Sequence, residues 1–443
     1  MKSQGYRTPA LRRRSFLTVT GASVAAMIGA SGCSRPEDAG GGTEGSALTV
    51  TWWGEGDQNT RQSDAIAAFA EDRGVEIETQ PTNFEGYFDR LATQVAGGNA
   101  PDVFQLYMPT MGEYADRNAL HDLSEFLGET IDDTNLETGA IEGSLLEDQL
   151  FFLPLGLSTQ PALIYDRTVF AELGAPDPDP DWTLDDYVTL LESLTDALGS
   201  DGFGSAEFGG DGIVFEAFVR SKGKEAFTTD GALAFESDDL REWLQFWEDL
   251  RQRELVVHPR LIEGSGFEAS PLITGQAPIA YAYSSKGIQG YASLTDHDLD
   301  FLPFPRYDAS TDRRELVAPV EWMGLAAESP SHQLGAELLN FLVNDEGAAR
   351  AMGIGHGVPV NNQIREAFAA SGELDPLVQK VYDNVAEAIE FSTPRPMYPA
   401  GASELLGGTD PVIDRVNQQV AYGEATVGEA TEQFFSEAER LLG

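Results

Sequence analysis

The chain has 443 residues, 42% hydrophobic and 10% aromatic; this is about three times the ~150-residue prior for one domain, so two lobes or domains are expected and a disordered or fibrous chain is excluded. Charge is the unusual quantity, with 28 Lys and Arg against 73 Asp and Glu and a formal net charge of -45. A field of that sign repels nucleic-acid phosphates and anionic lipid surfaces, which argues against a nucleic-acid partner, and it suits a high-salt milieu in which self-repulsion is screened.

In chain order, residues 1–33 read as a targeting segment. A basic stretch ending in Arg12-Arg13-Arg14 precedes a mild apolar run, Phe16 to Ala30, too short for a membrane-spanning helix. Arg13-Arg14-Ser15-Phe16-Leu17 resembles a twin-arginine export motif. Ala30-Ser31-Gly32-Cys33 resembles a lipobox, in which a cysteine is cleaved at and lipidated, with Ala30 where Leu is commoner. Cys33 is the only cysteine, so no disulfide or cysteine-based metal site competes for it. The expectation is lipidation at Cys33, a Gly-rich flexible tether over 34–46, and a place on the outer face of the cytoplasmic membrane, in the periplasm or at the cell surface.

Leu48 to Trp53 is a short β-rich run, and Ala65, Ile66 and Phe69 then recur at helical spacing until Gly74 offers a cap. Val75, Ile77 and Thr79 alternate as a strand; Phe84, Tyr87, Phe88, Leu91 and Val95 mark a helix closed by Gly97-Gly98; Asp102 to Tyr107 is strand-like again. This β-α-β-α-β alternation predicts an α/β fold with a parallel, doubly wound sheet. Ligands of such sheets sit outside the carboxyl ends of the strands, here Trp52-Trp53-Gly54-Glu55, Asn83-Phe84 and Tyr107-Met108.

A second run of elements starts with an apolar strand, Leu150 to Leu155, then a crossing at Gly156 to Gln160 and a strand at Ala162 to Tyr165. Helices are predicted over Asp166 to Leu173, over Leu184 to Leu198 behind a capping box at Thr183 and Asp186, and through Leu240, Trp243, Leu244 and Trp247, a core stripe. A strand near Ile279 to Tyr283 leads to the Pro-punctuated segment Asp300 to Pro305, expected as a second crossing. Helical runs at Gln333 to Val343, Pro376 to Ile389 and Val427 to Leu442 complete the chain.

Enzymatic signatures are absent: there is no Walker A sequence, no H-E-x-x-H and no G-x-S-x-G, and the five histidines are scattered without metal-ligand spacing. Gly54-Glu55-Gly56 has Asn59 where a dinucleotide fingerprint needs its third glycine, so Gly54 is read as admitting a ligand close to the backbone. Aromatics at loop positions are the positive signal. Sugar rings stack on Trp and Tyr, while their hydroxyls bond Asn, Gln, Asp, Glu and Arg. Trp52 and Trp53 point to opposite sides of a strand, and Trp53, nearer its end, is favoured as cleft-facing, the alternative being that both are core.

Taken together, Thr51-Trp52-Trp53-Gly54, Tyr87-x-x-Arg90-Leu91-Ala92-Thr93-Gln94, Ala96-Gly97-Gly98-Asn99-Ala100-Pro101-Asp102-Val103, Leu163-Ile164-Tyr165-Asp166 and Asn340-Phe341-Leu342-Val343-Asn344-Asp345 resemble family 1 of the extracellular solute-binding proteins of carbohydrate ABC importers, the maltose-binding-protein-like group. The resemblance runs over nearly the whole chain beyond the tether. It implies a two-lobed periplasmic-binding-protein fold, each lobe a sheet flanked by helices, with a mono- or oligosaccharide in the hinge cleft, ABC permease subunits as partner, and no cofactor, metal or catalysis. The first lobe then takes about 46–158 and 300–328, and the second 159–299 and 329–443, in a monomer.

Carried onto this chain, the resemblance puts Trp53, Glu55, Phe84 and Tyr107 in the cleft from the first lobe, Thr159 and Gln160 at the crossing, and Glu321 and Trp322 after the return strand. Arg395, Met397 and Tyr398 reach it from the Pro-broken loop of the second lobe. Trp322 is the favoured stacking platform, core burial being its alternative. Arg61 and Arg395 stand between recognising an acidic sugar and pairing with a carboxylate of the protein. The rival readings are a secreted, lipid-anchored glycoside hydrolase, which predicts turnover, and a polyamine or metal receptor on the same fold, which the acidic composition favours.

Overall fold

In the computed structural model, residues 47–443 are described, apart from 55, 85, 147, 263–265 and 409. The export motif, Cys33 and the tether lie outside the described residues. Strand β1 (Ala47–Trp53) buries Leu48, Val50, Thr51, Trp52 and Trp53, so both its faces are covered. That is the pattern of a parallel strand between helices. It pairs in parallel with β2 (Glu76–Thr82) and β3 (Val103–Leu106). The crossover helix Gly56–Arg73 turns Ala65, Ile66 and Phe69 inward, and Gly74 ends it in the left-handed conformation, φ 66°, which a side chain would strain.

A hairpin of β4 (Leu145–Leu146) and β5 (Gln149–Leu150) precedes β6 (Leu153–Pro154), β7 (Gly156–Thr159) and β8 (Ala162–Asp166). The remaining strands are β9 (Ile279–Ala282), β10 (Leu299–Leu302), β11 (Val317–Ala318), β12 (Trp322–Leu325) and β13 (Val358–Pro359). They form a five-stranded sheet, β2-β1-β3-β12-β6, and two three-stranded sheets, β10-β8-β9 and β11-β7-β13. The chain passes from the first sheet to the second by β6, β7 and β8, and returns by β10, β11 and β12. The small sheet around β7 therefore carries both crossings.

Two local differences from the sequence expectations have physical causes. The single strand expected over Leu150–Leu155 is divided, because Leu150 pairs within its hairpin whereas Leu153 pairs with Met323. The first half of the extended segment Asp300–Pro305 belongs to the second sheet, where Leu299–Leu302 runs antiparallel to Leu163–Asp166; Pro303 has no N–H to continue the ladder, and the crossing follows it. Trp322 opens β12 and pairs with Leu106 of β3. Helices His332–Asn344 and Glu346–Met352 pack against Gly56–Arg73, on the side of the first sheet.

Helix signals read from the sequence recur in the structure. Thr183 and Asp186 form a reciprocal capping box at 3.2 and 2.9 Å for Leu184–Leu198, and Asp166 caps Arg167–Leu173 through Val169 N at 3.0 Å. Trp243 and Trp247 of helix Ser237–Gln252 are buried, and the Trp243 indole donates to the Gly209 carbonyl at 2.8 Å.

Candidate functional site

A cleft of about 740 Å³ opens beside the ends of β3, β9 and β12. Its first wall is aromatic. Trp53 ends β1 as a buried pillar, with ring centroids 5.8 Å from Phe84, 5.1 Å from Tyr87 and 6.0 Å from Tyr107, all edge-on. Phe84, 43% exposed, and Tyr107 form the surface of that cluster and line the cleft. Trp53 supports them from behind and does not line it. Burial, with Glu113 nearby, pushes the Tyr107 phenol up to about 12.

Antiparallel pairing of Trp322 with Leu106 sets Trp322 beside this wall. Trp322 lines the cleft although only 1% of it is exposed, and its indole donates to Ser144 Oγ at 2.7 Å. Gln160 lies at the crossing, buried, and donates from Nε2 to the Ala318 and Pro319 carbonyls at 3.2 and 3.1 Å. Thr159 is buried in β7 and does not line the cleft.

Glu321 also lies beneath the wall, between Val320 and Trp322, which do line it. Its carboxylate is held by the Lys286 ammonium and by His356 Nδ1. Burial alone would raise its pKa, but these two partners hold it down to about 2. Glu55 lies outside the described residues.

Arg395 and Tyr398 line the opposite side, and both bind one buried carboxylate. Arg395 Nη1 and the Tyr398 hydroxyl donate to Glu216 Oε2 at 2.8 and 2.7 Å. Arg220 holds the start of this loop by donating to the Thr393 carbonyl and hydroxyl at 2.8 and 2.7 Å. Arg61 is elsewhere: it pairs with Asp57 at 2.5 Å along a separate cavity of about 730 Å³.

Several cleft residues went unrecognised in the sequence. Tyr281 stands near the end of β9 and Tyr283 follows it as Tyr107 follows β3, so the strand-end rule applied to the second sheet would have found them. Asp211 accepts from Ile213 N and Val214 N at 2.8 and 3.1 Å, capping helix Gly212–Ser221, and from the Tyr281 hydroxyl. Glu207, Asp414, Asn417 and Gln418 complete this wall. Burial raises the carboxyl pKa values of Glu207, Asp211 and Asp414. Gly54 has another role than the one expected of it: a Cβ there would lie 2.6 Å from Asn59 Oδ1, and the space belongs to the Asn59 side chain, which also accepts from the Trp52 indole at 2.9 Å.

Among the described residues no group of three or more His, Cys, Asp and Glu is placed to hold a metal ion, and no helix is long and apolar enough to cross a membrane.

The family model for bacterial extracellular solute-binding proteins matches residues 53–349. Among solved structures, the chain is similar to a periplasmic solute-binding protein from Pectobacterium atrosepticum, at 20% identity over 89% of this chain and 98% of that one, with a TM-score of 0.76. It is similar to a periplasmic oligogalacturonide-binding protein from Yersinia enterocolitica in complex with saturated digalacturonic acid, at 19% identity, the same coverages and a TM-score of 0.74. A third similar structure is an ABC substrate-binding protein from Listeria monocytogenes in complex with cycloalternan, at 18% identity over 89% of this chain and 98% of that one, with a TM-score of 0.73. At these identities the likeness establishes a shared fold, the mixed α/β periplasmic-binding-protein architecture.

Proposed function

We propose, from the premise that the chain belongs to the family of bacterial extracellular solute-binding proteins, that it captures a mono- or oligosaccharide outside the cell and delivers it to an ABC-type membrane importer. The observation that carries this reading is the composition of one cleft. Phe84, Tyr107, Trp322, Tyr281 and Tyr283 offer ring faces or edges, and Gln160, Asn417 and Gln418 offer amides, around a volume of about 740 Å³. Such a surface matches the apolar faces and hydroxyl edges of sugar rings. The solved relatives that bind cycloalternan and digalacturonic acid support the same class.

The mechanism is closure. The five-stranded sheet and the β10-β8-β9 sheet are the centres of two lobes, the β11-β7-β13 sheet is the hinge, and a ligand that binds the closed form more tightly shifts the population towards it. No chemical step is required. Thermal-shift screening of the purified chain against a saccharide panel tests the reading, since a ligand at 100 times its Kd adds about 2.7 kcal/mol. The expected result is stabilisation by at least one saccharide that is recovered unchanged after hours with the protein. Hydrolysis dependent on one carboxylate would promote the hydrolase instead.

Export and anchoring belong to the same proposal, with Cys33 as the lipidated residue. Cys33→Ala is expected to move the protein from the membrane fraction to the soluble one. A variant that stays membrane-bound removes the anchor, and export that survives Arg13→Lys with Arg14→Lys removes the twin-arginine route.

A further inference from the structure

The charged groups of the cleft are unevenly distributed. Among the described residues lining it, Glu207, Asp211, Asp410 and Asp414 carry carboxylates, and Arg395 is the sole cation. Arg395 is committed: it is buried, and its charge is met by Glu216 at 2.8 Å, whose same oxygen also takes the Tyr398 hydroxyl. Glu207 Oε1 takes Arg251 Nη1, Asn417 Nδ2 and Gly209 N at 2.9, 2.9 and 3.2 Å, and Asp414 Oδ2 takes Gln418 Nε2 at 2.9 Å. Among the described residues, the second oxygen of each, Glu207 Oε2 and Asp414 Oδ1, receives no donor.

We infer that the cleft selects saccharides without an acidic group, and that the wall of Glu207, Asp211 and Asp414 is the selecting element. The inference rests on the saccharide reading. A sugar hydroxyl donates to a carboxylate oxygen and satisfies both groups. A uronate, sulfate or phosphate brings only acceptors and a negative charge to the same oxygens. It would need a charge-assisted donor; Arg395, which lines the cleft, is already met by Glu216, and Arg251 is held on Glu207 Oε1. Like charges set against each other across a binding surface cost enough to reject a partner outright. The solved relative that binds digalacturonic acid shares the fold at 19% identity, so the fold itself admits acidic sugars and the side chains of this wall carry the discrimination.

The test is isothermal titration of the purified chain with oligosaccharide pairs matched in length and linkage and differing only at C6, a hydroxymethyl in one member and a carboxylate in the other: gluco against glucurono, galacto against galacturono, manno against mannurono. The expected result is binding of the neutral member of at least one pair, with its acidic counterpart about tenfold weaker or worse. Asp414→Asn, which preserves shape and removes the charge, is expected to weaken the neutral member, relieve the acidic one and so narrow that ratio; an unchanged melting temperature of the ligand-free variant shows that it folds. An acidic member that binds as tightly as its neutral counterpart overturns the inference, and an unchanged ratio in Asp414→Asn overturns the role given to this wall. Silence from every pair and from the wider saccharide panel removes the saccharide reading, and this inference with it.

Discussion

Replacing Trp322 with alanine is expected to lower the melting temperature of the ligand-free protein by roughly 4–6 °C. The side chain is 1% exposed, and truncating a buried tryptophan costs about 3–5 kcal/mol. At about 2.1 cal/mol/K of unfolding entropy per residue, a body of some 400 residues loses about 1.2 °C for each kcal/mol. The truncation also removes the indole donor that Ser144 Oγ accepts at 2.7 Å. Because Trp322 lines the cleft as well, ligand affinity should fall too, by analogy with base stacking by about 1–3 kcal/mol, or roughly 5- to 150-fold. Trp243→Ala separates the two effects: Trp243 is equally buried but lies outside the cleft lining, so it should lower the melting temperature and leave affinity intact. Scanning calorimetry and isothermal titration on both variants are the measurements. A Trp322→Ala protein with an unchanged melting temperature would contradict the packing described above.

Local elements were legible because their signals are local. Thr183 and Asp186 cap a helix within four residues, Gly74 and Gly174 end helices in the left-handed conformation, and Leu240, Trp243, Leu244 and Trp247 repeat at helical spacing. The parallel start of the first sheet followed from strand–helix alternation. Partner choice was not legible. Leu299–Leu302 reads as a connecting segment until its pairing with Leu163–Asp166 is known, and Leu150 and Leu153 look like one strand although their partners differ.

Within the site, Phe84, Tyr107, Gln160, Trp322, Arg395 and Tyr398 meet around the cleft, whereas Trp53, Thr159 and Glu321 lie behind its walls. Residue type does not distinguish a wall from its support: Trp53 and Tyr107 are both aromatics at strand ends, and only depth separates them. Glu207, Asp211 and Asp414 were hidden for a different reason. In a chain with 73 Asp and Glu, no carboxylate stands out until its surroundings are seen.

The second large effect is expected from Glu321→Gln, and its pH dependence identifies its cause. Lys286 belongs to helix Ser284–Ala292, packed on the second sheet; Glu321 immediately precedes β12 of the first; His356 precedes β13 of the small one. The carboxylate thus ties together residues from three sheets' surroundings: a helix on the second sheet, the start of β12 and the approach to β13. Its folded pKa of about 2 lies below the ordinary 4.5, so its stabilisation is fully present above pH 4.5 and is lost as pH falls towards 2. The shift corresponds to about 3 kcal/mol. Glutamine abolishes the charge and leaves the Lys286 ammonium and the buried His356 without their anion, a change that costs about 3–5 kcal/mol when a buried pair is broken. Denaturant unfolding at pH 7 should therefore show the variant about 3 kcal/mol less stable, and the gap should close as both proteins approach pH 2, where the wild-type carboxyl takes up its proton. High salt should leave most of the gap at pH 7, because Glu321 and His356 are buried, where screening is weak, and only Lys286 is partly exposed. A gap of the same size at pH 7 and pH 2 would place the cost in packing and not in the ion pair; no gap at pH 7 would mean that Lys286 and His356 do not need the Glu321 charge.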